Sequence, residues 1–102
     1  MNYTENYKGV KIDVQAPTVD ISDAIQEEIR GSIDKLLRFT AKIKAFDVYF
    51  KIEGQGSTSE NTMGIRLGVP GPTVFADEKG ENWVPMMKSI TDKLIRQLQK
   101  NK

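Results

Sequence analysis

Carboxylates, glycine-rich turns and rows of cations are what this sequence offers for chemistry, because none of its 102 residues is cysteine or histidine. That absence removes thiolate and disulfide chemistry, the usual general base at neutral pH and the commonest metal ligand. Glu27, Glu28 and Asp34 share one helical stretch and suggest an acid–base pair. No nucleophile accompanies them, and an acidic half-helix in water is the ordinary outcome. The glycines of GQGS, Gly54 to Ser57, and of Gly68 to Gly71 fit neither a Walker A loop nor a dinucleotide fingerprint. Neither run joins a strand to a helix, so both read as hairpin turns. Trp83, Met86 and Met87 suggest a ligand pocket, yet their spacing puts them on the core stripe of a helix, where packing is their use. The reading is of a protein that is not an enzyme and needs no cofactor, metal or small-molecule substrate.

The cations are arranged differently. Fifteen Lys and Arg nearly balance fourteen Asp and Glu, but basic against acidic residues run 3 to 7 over 1–34, 5 to 1 over 35–51, 2 to 5 over 52–87 and 5 to 1 over 88–102. Each basic block nets +4 (5 − 1). In the last block Lys93, Arg96 and Lys100 fall within about 60° of one another on a helical wheel, off the apolar stripe. Cations near helix C-termini are also what the helix dipole favours without any partner. That account suits the first block, where Asp23, Glu27 and Glu28 come early and Lys35, Arg38 and Lys42 late. It suits the second less well, since its cations begin at Lys88. On charge alone a solvated surface and a nucleic-acid face both stay open.

Two helices must position these blocks. Trp83, Met86, Met87, Ile90, Leu94 and Leu98 recur at helical spacing, with Asn82 as N-cap and Pro85 in the first turn, so the helix runs to the chain end. Ser22 caps an earlier helix, Ser22 to Phe39, whose apolar face is Ile25, Ile29, Ile33, Leu36 and Leu37. Gly31 inside it either permits close packing or is tolerated. Strands are read where the period is two: Val10, Ile12 and Val14; then Phe46, Val48, Phe50 and Ile52; then Met63, Ile65, Leu67 and Val69; and a short fourth strand, Thr73 to Asp77. The outer face of the third strand is bare, with Gly64 and Gly68. Met1 to Gly9 shows no periodicity and reads as a flexible tail.

The resulting order, β-α-β-β-β-α, predicts an α+β two-layer sandwich of a four-stranded sheet with both helices on one face. At this length it forms a single domain. No apolar run approaches membrane-spanning length, and the N-terminus lacks the apolar core of a secretory signal. The expected location is the cytoplasm.

Two stretches carry a resemblance. VKIDVQAPTVDISDAI, Val10 to Ile25, is similar to the start of the ribosome hibernation promoting factor family, also described as ribosome-associated translation inhibitors or sigma-54 modulation proteins. DKLIRQLQKNK, Asp92 to Lys102, is similar to that family's DKLxRQLxKxK ending almost residue for residue. The resemblance covers Val10 to Lys102 and implies a dsRBD-like sheet with two parallel helices. It further implies binding to ribosomal RNA of the small subunit where messenger and transfer RNA otherwise lie, which would silence idle bacterial ribosomes under stress. With the helices parallel, the two basic blocks would merge into one patch.

By position, the resemblance assigns RNA contacts to Lys35, Lys93, Arg96, Lys100 and Lys102, and charge alone adds Arg38, Lys42 and Lys88. Gln26 and Ser32 stand where a basic residue is common in that family, and the tail is shorter than in many members, so a thinner patch is expected; the expected protein is the short form, without the long form's second domain. The expected protein is a monomer off the ribosome, with a flexible tail over 1–9, a ribosome-binding domain over 10–102 and no membrane partner. The alternatives are a protein-interaction module using the sheet face around Tyr49 and Arg66, and a small hydrolase or ligand-binding domain.

Overall fold

The computed structural model describes residues 1–54 and 60–100. Most of the expected GQGSTSE loop, residues 55–59, and the candidate RNA contact Lys102 lie outside them. The elements run β1 (Tyr3–Tyr7), β2 (Val10–Gln15), α1 (Asp23–Leu37), β3 (Ala45–Glu53), β4 (Glu60–Gly68), β5 (Val74–Gly80) and α2 (Trp83–Lys100). The sheet has five strands in the order β1-β2-β3-β4-β5, parallel between β2 and β3 and antiparallel elsewhere.

The expected count of four strands is corrected by β1, which occupies the supposed tail. Lys8 (φ 50°) and Gly9 (φ 80°) form the two-residue turn with both φ positive that suits a tight hairpin. Tyr3 and Tyr7 pack against the core, and between them Glu5 takes two hydrogen bonds from Arg30 of α1, at 2.8 and 3.1 Å. The period of two is present, but tyrosines and a paired glutamate carry it.

Alternation fills one face of the sheet with Val10, Ile12, Val14, Phe46, Val48, Phe50, Met63, Ile65, Leu67, Val74 and Ala76. Ile25, Ile29, Ile33 and Leu36 of α1, with Met86, Met87, Ile90 and Leu94 of α2, close over it. Ser22 caps α1, its Oγ accepting from Ile25 N at 3.2 Å. Trp83 packs edge-on against Phe50, ring centres 5.1 Å apart. Ile52, expected inside, is 45% exposed, because β2 pairs with β3 only as far as Tyr49. The fourth strand of the sequence reading runs on to Gly80 as β5. On the helix-free face the bareness of β4 has a cause: the Phe75 ring lies over Gly64, and Gly68 backs onto Ala45, where an added Cβ would come within 2.9 Å of the alanine's.

Direction follows from topology. Helix α1 returns across the parallel pair β2–β3 and so runs opposite to both. In α2, Ser89, Lys93 and Gln97 meet Glu78, Asp77 and Phe75 in descending order, so α2 also runs opposite to its strand. Strands β3 and β5 point the same way, each being antiparallel to β4. The helices are therefore parallel, with their C-termini at one end of the molecule.

Candidate nucleic-acid interface

That shared end is where the cations collect. Lys44 N donates to Gly68 O at 2.8 Å and Lys11 N donates to Lys44 O at 3.0 Å, which joins the starts of β2 and β3 to the end of β4. The β1–β2 turn, the end of α1 with its link to β3, and the end of α2 lie at the same end. Lys8, Lys11, Arg38, Lys42, Lys44 and Lys100 therefore share it. Asp34 approaches it but is paired with Lys8 at 2.7 Å, and Asp47 lies on the helix-free face, paired with Arg66 at 3.0 Å. The opposite end holds Asp20, Asp23, Glu53, Glu60 and Glu81 at helix starts and strand ends, against Lys79 and Lys51, the latter paired with Glu53 at 3.8 Å. A molecule of net charge +1 is thus polarised along its strands.

The residues expected at the interface separate into three sets. Arg38, Lys42, Arg96 and Lys100 form no ion pair among the described residues and present their charge to solvent. Lys35 and Lys88 line the groove between the helices, where Lys35 pairs with Asp92 at 3.1 Å. Lys93 turns toward the sheet. Its Nζ lies 3.1 Å from Glu78 Oε2 and donates to Asp77 O at 2.9 Å, so the row Lys93, Arg96 and Lys100 is split. The hydrogen bond from Ser89 Oγ, at 2.6 Å, and then Lys93 hold the Glu78 carboxyl below its usual range. Lys8 does the same for Asp34, helped by the Tyr7 hydroxyl.

The two positions noted as lacking a cation have local uses. Ser32 is 5% exposed and sits against α2, its Oγ 2.8 Å from Thr91 Oγ1. Gln26 Nε2 donates to Ile21 O at 3.2 Å. Sequence reasoning missed Lys8, Lys11 and Lys44, which reach the basic end only through the β1 hairpin and the parallel β2–β3 pairing. It also missed Phe39. Just past α1, this ring is 37% exposed and lines a cleft of about 310 Å³ with Thr40, Lys42, Val69, Pro70, Pro72, Val74 and Leu98.

Among the described residues no helix is long and apolar enough to cross a membrane, and no three His, Cys, Asp or Glu residues converge as metal ligands. The arrangement can present positive charge and an apolar seat to a polyanion.

A family model described as Sigma 54 modulation protein / S30EA ribosomal protein matches residues 12–102. The chain is 28% identical over 93 residues to the ribosome hibernation promoting factor of Escherichia coli (strain K12), covering 91% of this chain and 94% of that one. It is 26% identical, over the same shares, to the protein of that name in Salmonella typhimurium (strain LT2). Among solved structures, a ribosomal subunit interface protein from Coxiella burnetii superposes with TM-score 0.70 at 24% identity, over 88% of this chain and 94% of that one. The Protein Y N-terminal domain of Thermus thermophilus gives 0.72 at 17% identity, over 96% and 100%. At these identities the two structures speak for the fold.

Proposed function

The chain belongs to the Sigma 54 modulation protein / S30EA ribosomal protein family, and on that premise we propose that it binds ribosomal RNA of the small subunit through its basic end and inhibits translation by idle ribosomes. The observation that carries this is the convergence of Lys8, Lys11, Lys42 and Lys44 with Arg38 and Lys100 at the two helix ends. A helix dipole accounts for cations in a last helical turn, but not for lysines on a hairpin turn, at a strand start and in a linker. Lys8 has Asp34 as a local partner; a polyanion that spans the whole end accounts for the other five. Relatives named for ribosome hibernation support the choice of polyanion.

In this reading the cations neutralise phosphates, and the body, 43 × 26 × 19 Å, fills the channel that messenger and transfer RNA otherwise occupy. Phosphate contacts position the protein without reading sequence, and RNA helices are met mainly by shape. Neutralising about five to eight phosphates gives a plot of log affinity against log salt with a slope of about −0.7 to −0.9 per phosphate. Titration of small subunits with the protein from low to physiological salt tests this. A steep slope that flattens by about one phosphate for each of Lys42→Gln and Lys100→Gln is expected. A flat slope contradicts the reading.

A second reading keeps the fold but uses the helix-free face as a protein contact. It is favoured by Tyr49 and Phe75, which are 39% and 44% exposed there. Tyr49→Ala that weakens ribosome association at least about tenfold with the salt slope unchanged would favour it.

A further inference from the structure

We infer that the cleft beside Phe39 is a seat for one unstacked nucleobase of RNA, framed by the cations that hold its flanking phosphates. This rests on the RNA-binding reading above and adds a site to it. The cleft is built at the basic end by three chain segments. The α1 exit supplies Phe39 and Thr40, the β4–β5 turn supplies Val69, Pro70 and Pro72, and the last turns of α2 supply Leu98. Proline lacks an N–H, so the turn wall is apolar and stiff. Gly71 between the prolines has φ 97°, a conformation that keeps the turn tight.

Phe39 is a large ring left more than a third exposed, whereas Phe46 and Phe50 are buried and Tyr3, Tyr7 and Trp83 are partly buried against the core. Nothing in its helix requires that exposure, since Leu36 and Leu37 already complete the apolar stripe. Its neighbours select the occupant. Lys42 is itself part of the lining, Arg38 precedes Phe39, and Lys100 lies two residues past Leu98. An apolar side chain of a protein partner has no need of a lysine in its pocket wall and further cations at the same end of the molecule, whereas a base carries a phosphate on either side. Aromatic stacking of splayed bases within an electropositive groove is the general solution for unpaired RNA. The 310 Å³ available is ample for a purine.

The test separates stacking from charge. Affinity of wild type, Phe39→Ala and Phe39→Trp for small subunits, and for protein-free small-subunit RNA, is measured across a salt series, with thermal melts as a fold control. We expect Phe39→Ala to weaken binding to both targets by about tenfold or more with the salt slope unchanged, and Phe39→Trp to restore it. Lys42→Gln should instead lower the slope. Wild-type affinity in Phe39→Ala overturns the seat while leaving the RNA-binding reading in place. Weakening on subunits but not on protein-free RNA also overturns it, and assigns the cleft to a ribosomal protein. Absence of salt-dependent binding by wild type overturns the underlying reading itself.

Discussion

Ser32 and Thr91 meet between the two helices with their hydroxyl oxygens 2.8 Å apart, and Thr91 Oγ1 also donates to Met87 O at 2.8 Å. Thr91 has one proton, spent on Met87, so Ser32 is the donor in the pair. Ser32→Ala is expected to cost about 1 kcal/mol, since it removes one buried hydrogen bond and leaves Thr91 its carbonyl partner. Chemical denaturation checks this. The same residue marks a limit of the sequence: as a letter, Ser32 is a missing cation, and only the packing of α1 on α2 makes it an interhelical contact. Lys93 shows the converse. It matches a family cation, but Glu78 and Asp77 O engage it. Lys93→Gln should therefore weaken RNA binding less than Arg96→Gln, read from the two affinities at one salt concentration.

Among the elements, α1 was legible almost to the residue, because an N-cap, an acidic first turn and a 3.6-residue stripe all agree over Asp23–Leu37. Strands β3 and β4 were legible for the same kind of reason, apart from Ile52. Strand β1 was not. YTENY has no aliphatic residue, and its inward positions are satisfied by tyrosine packing and the Glu5–Arg30 pair, contacts made with a partner distant in sequence. Gly31, left undecided by the sequence, faces open space: a Cβ there would meet nothing within 4 Å. Gly31→Ala should raise stability by about 0.5–1 kcal/mol through lower unfolded-state entropy, seen as a rise in Tm. Elements are also joined by carboxylates. Asp34 ties α1 to the β1–β2 turn, and Glu78 ties β5 to α2. Both have folded-state pKa values below the ordinary range. Their contribution is thus complete at neutral pH and fades as pH falls below about 4.5 toward the folded pKa. Asp34→Asn and Glu78→Gln should each be less stable than wild type at pH 7 and lose less on acidification, measured by denaturation at both pH values.

For the whole molecule, polarity matters more than net charge. A nine-residue strand such as β3 spans about 30 Å, while charges are screened over about 8 Å at physiological salt. The acidic end therefore does little to offset the basic end at an RNA surface, and a net charge of +1 is compatible with a steep salt slope. The two basic blocks were visible in the sequence as runs. Their union into one end was expected only through the family resemblance, not from the runs themselves; the addition of Lys11 and Lys44 was not, because it depends on β2 and β3 being parallel, which brings them beside Arg38, Lys42 and Lys100. Co-sedimentation with small ribosomal subunits at physiological salt puts that union to the test, comparing wild type with Arg38→Glu/Lys42→Glu/Lys100→Glu and with a three-charge reversal at the acidic end, Asp20→Lys/Glu53→Lys/Glu81→Lys. Co-migration of wild type and the acidic-end variant, lost only on reversing the basic end in a protein that still melts cooperatively, is the predicted result. Undiminished co-migration of the basic-end variant would contradict the assignment of this end as the RNA-binding surface.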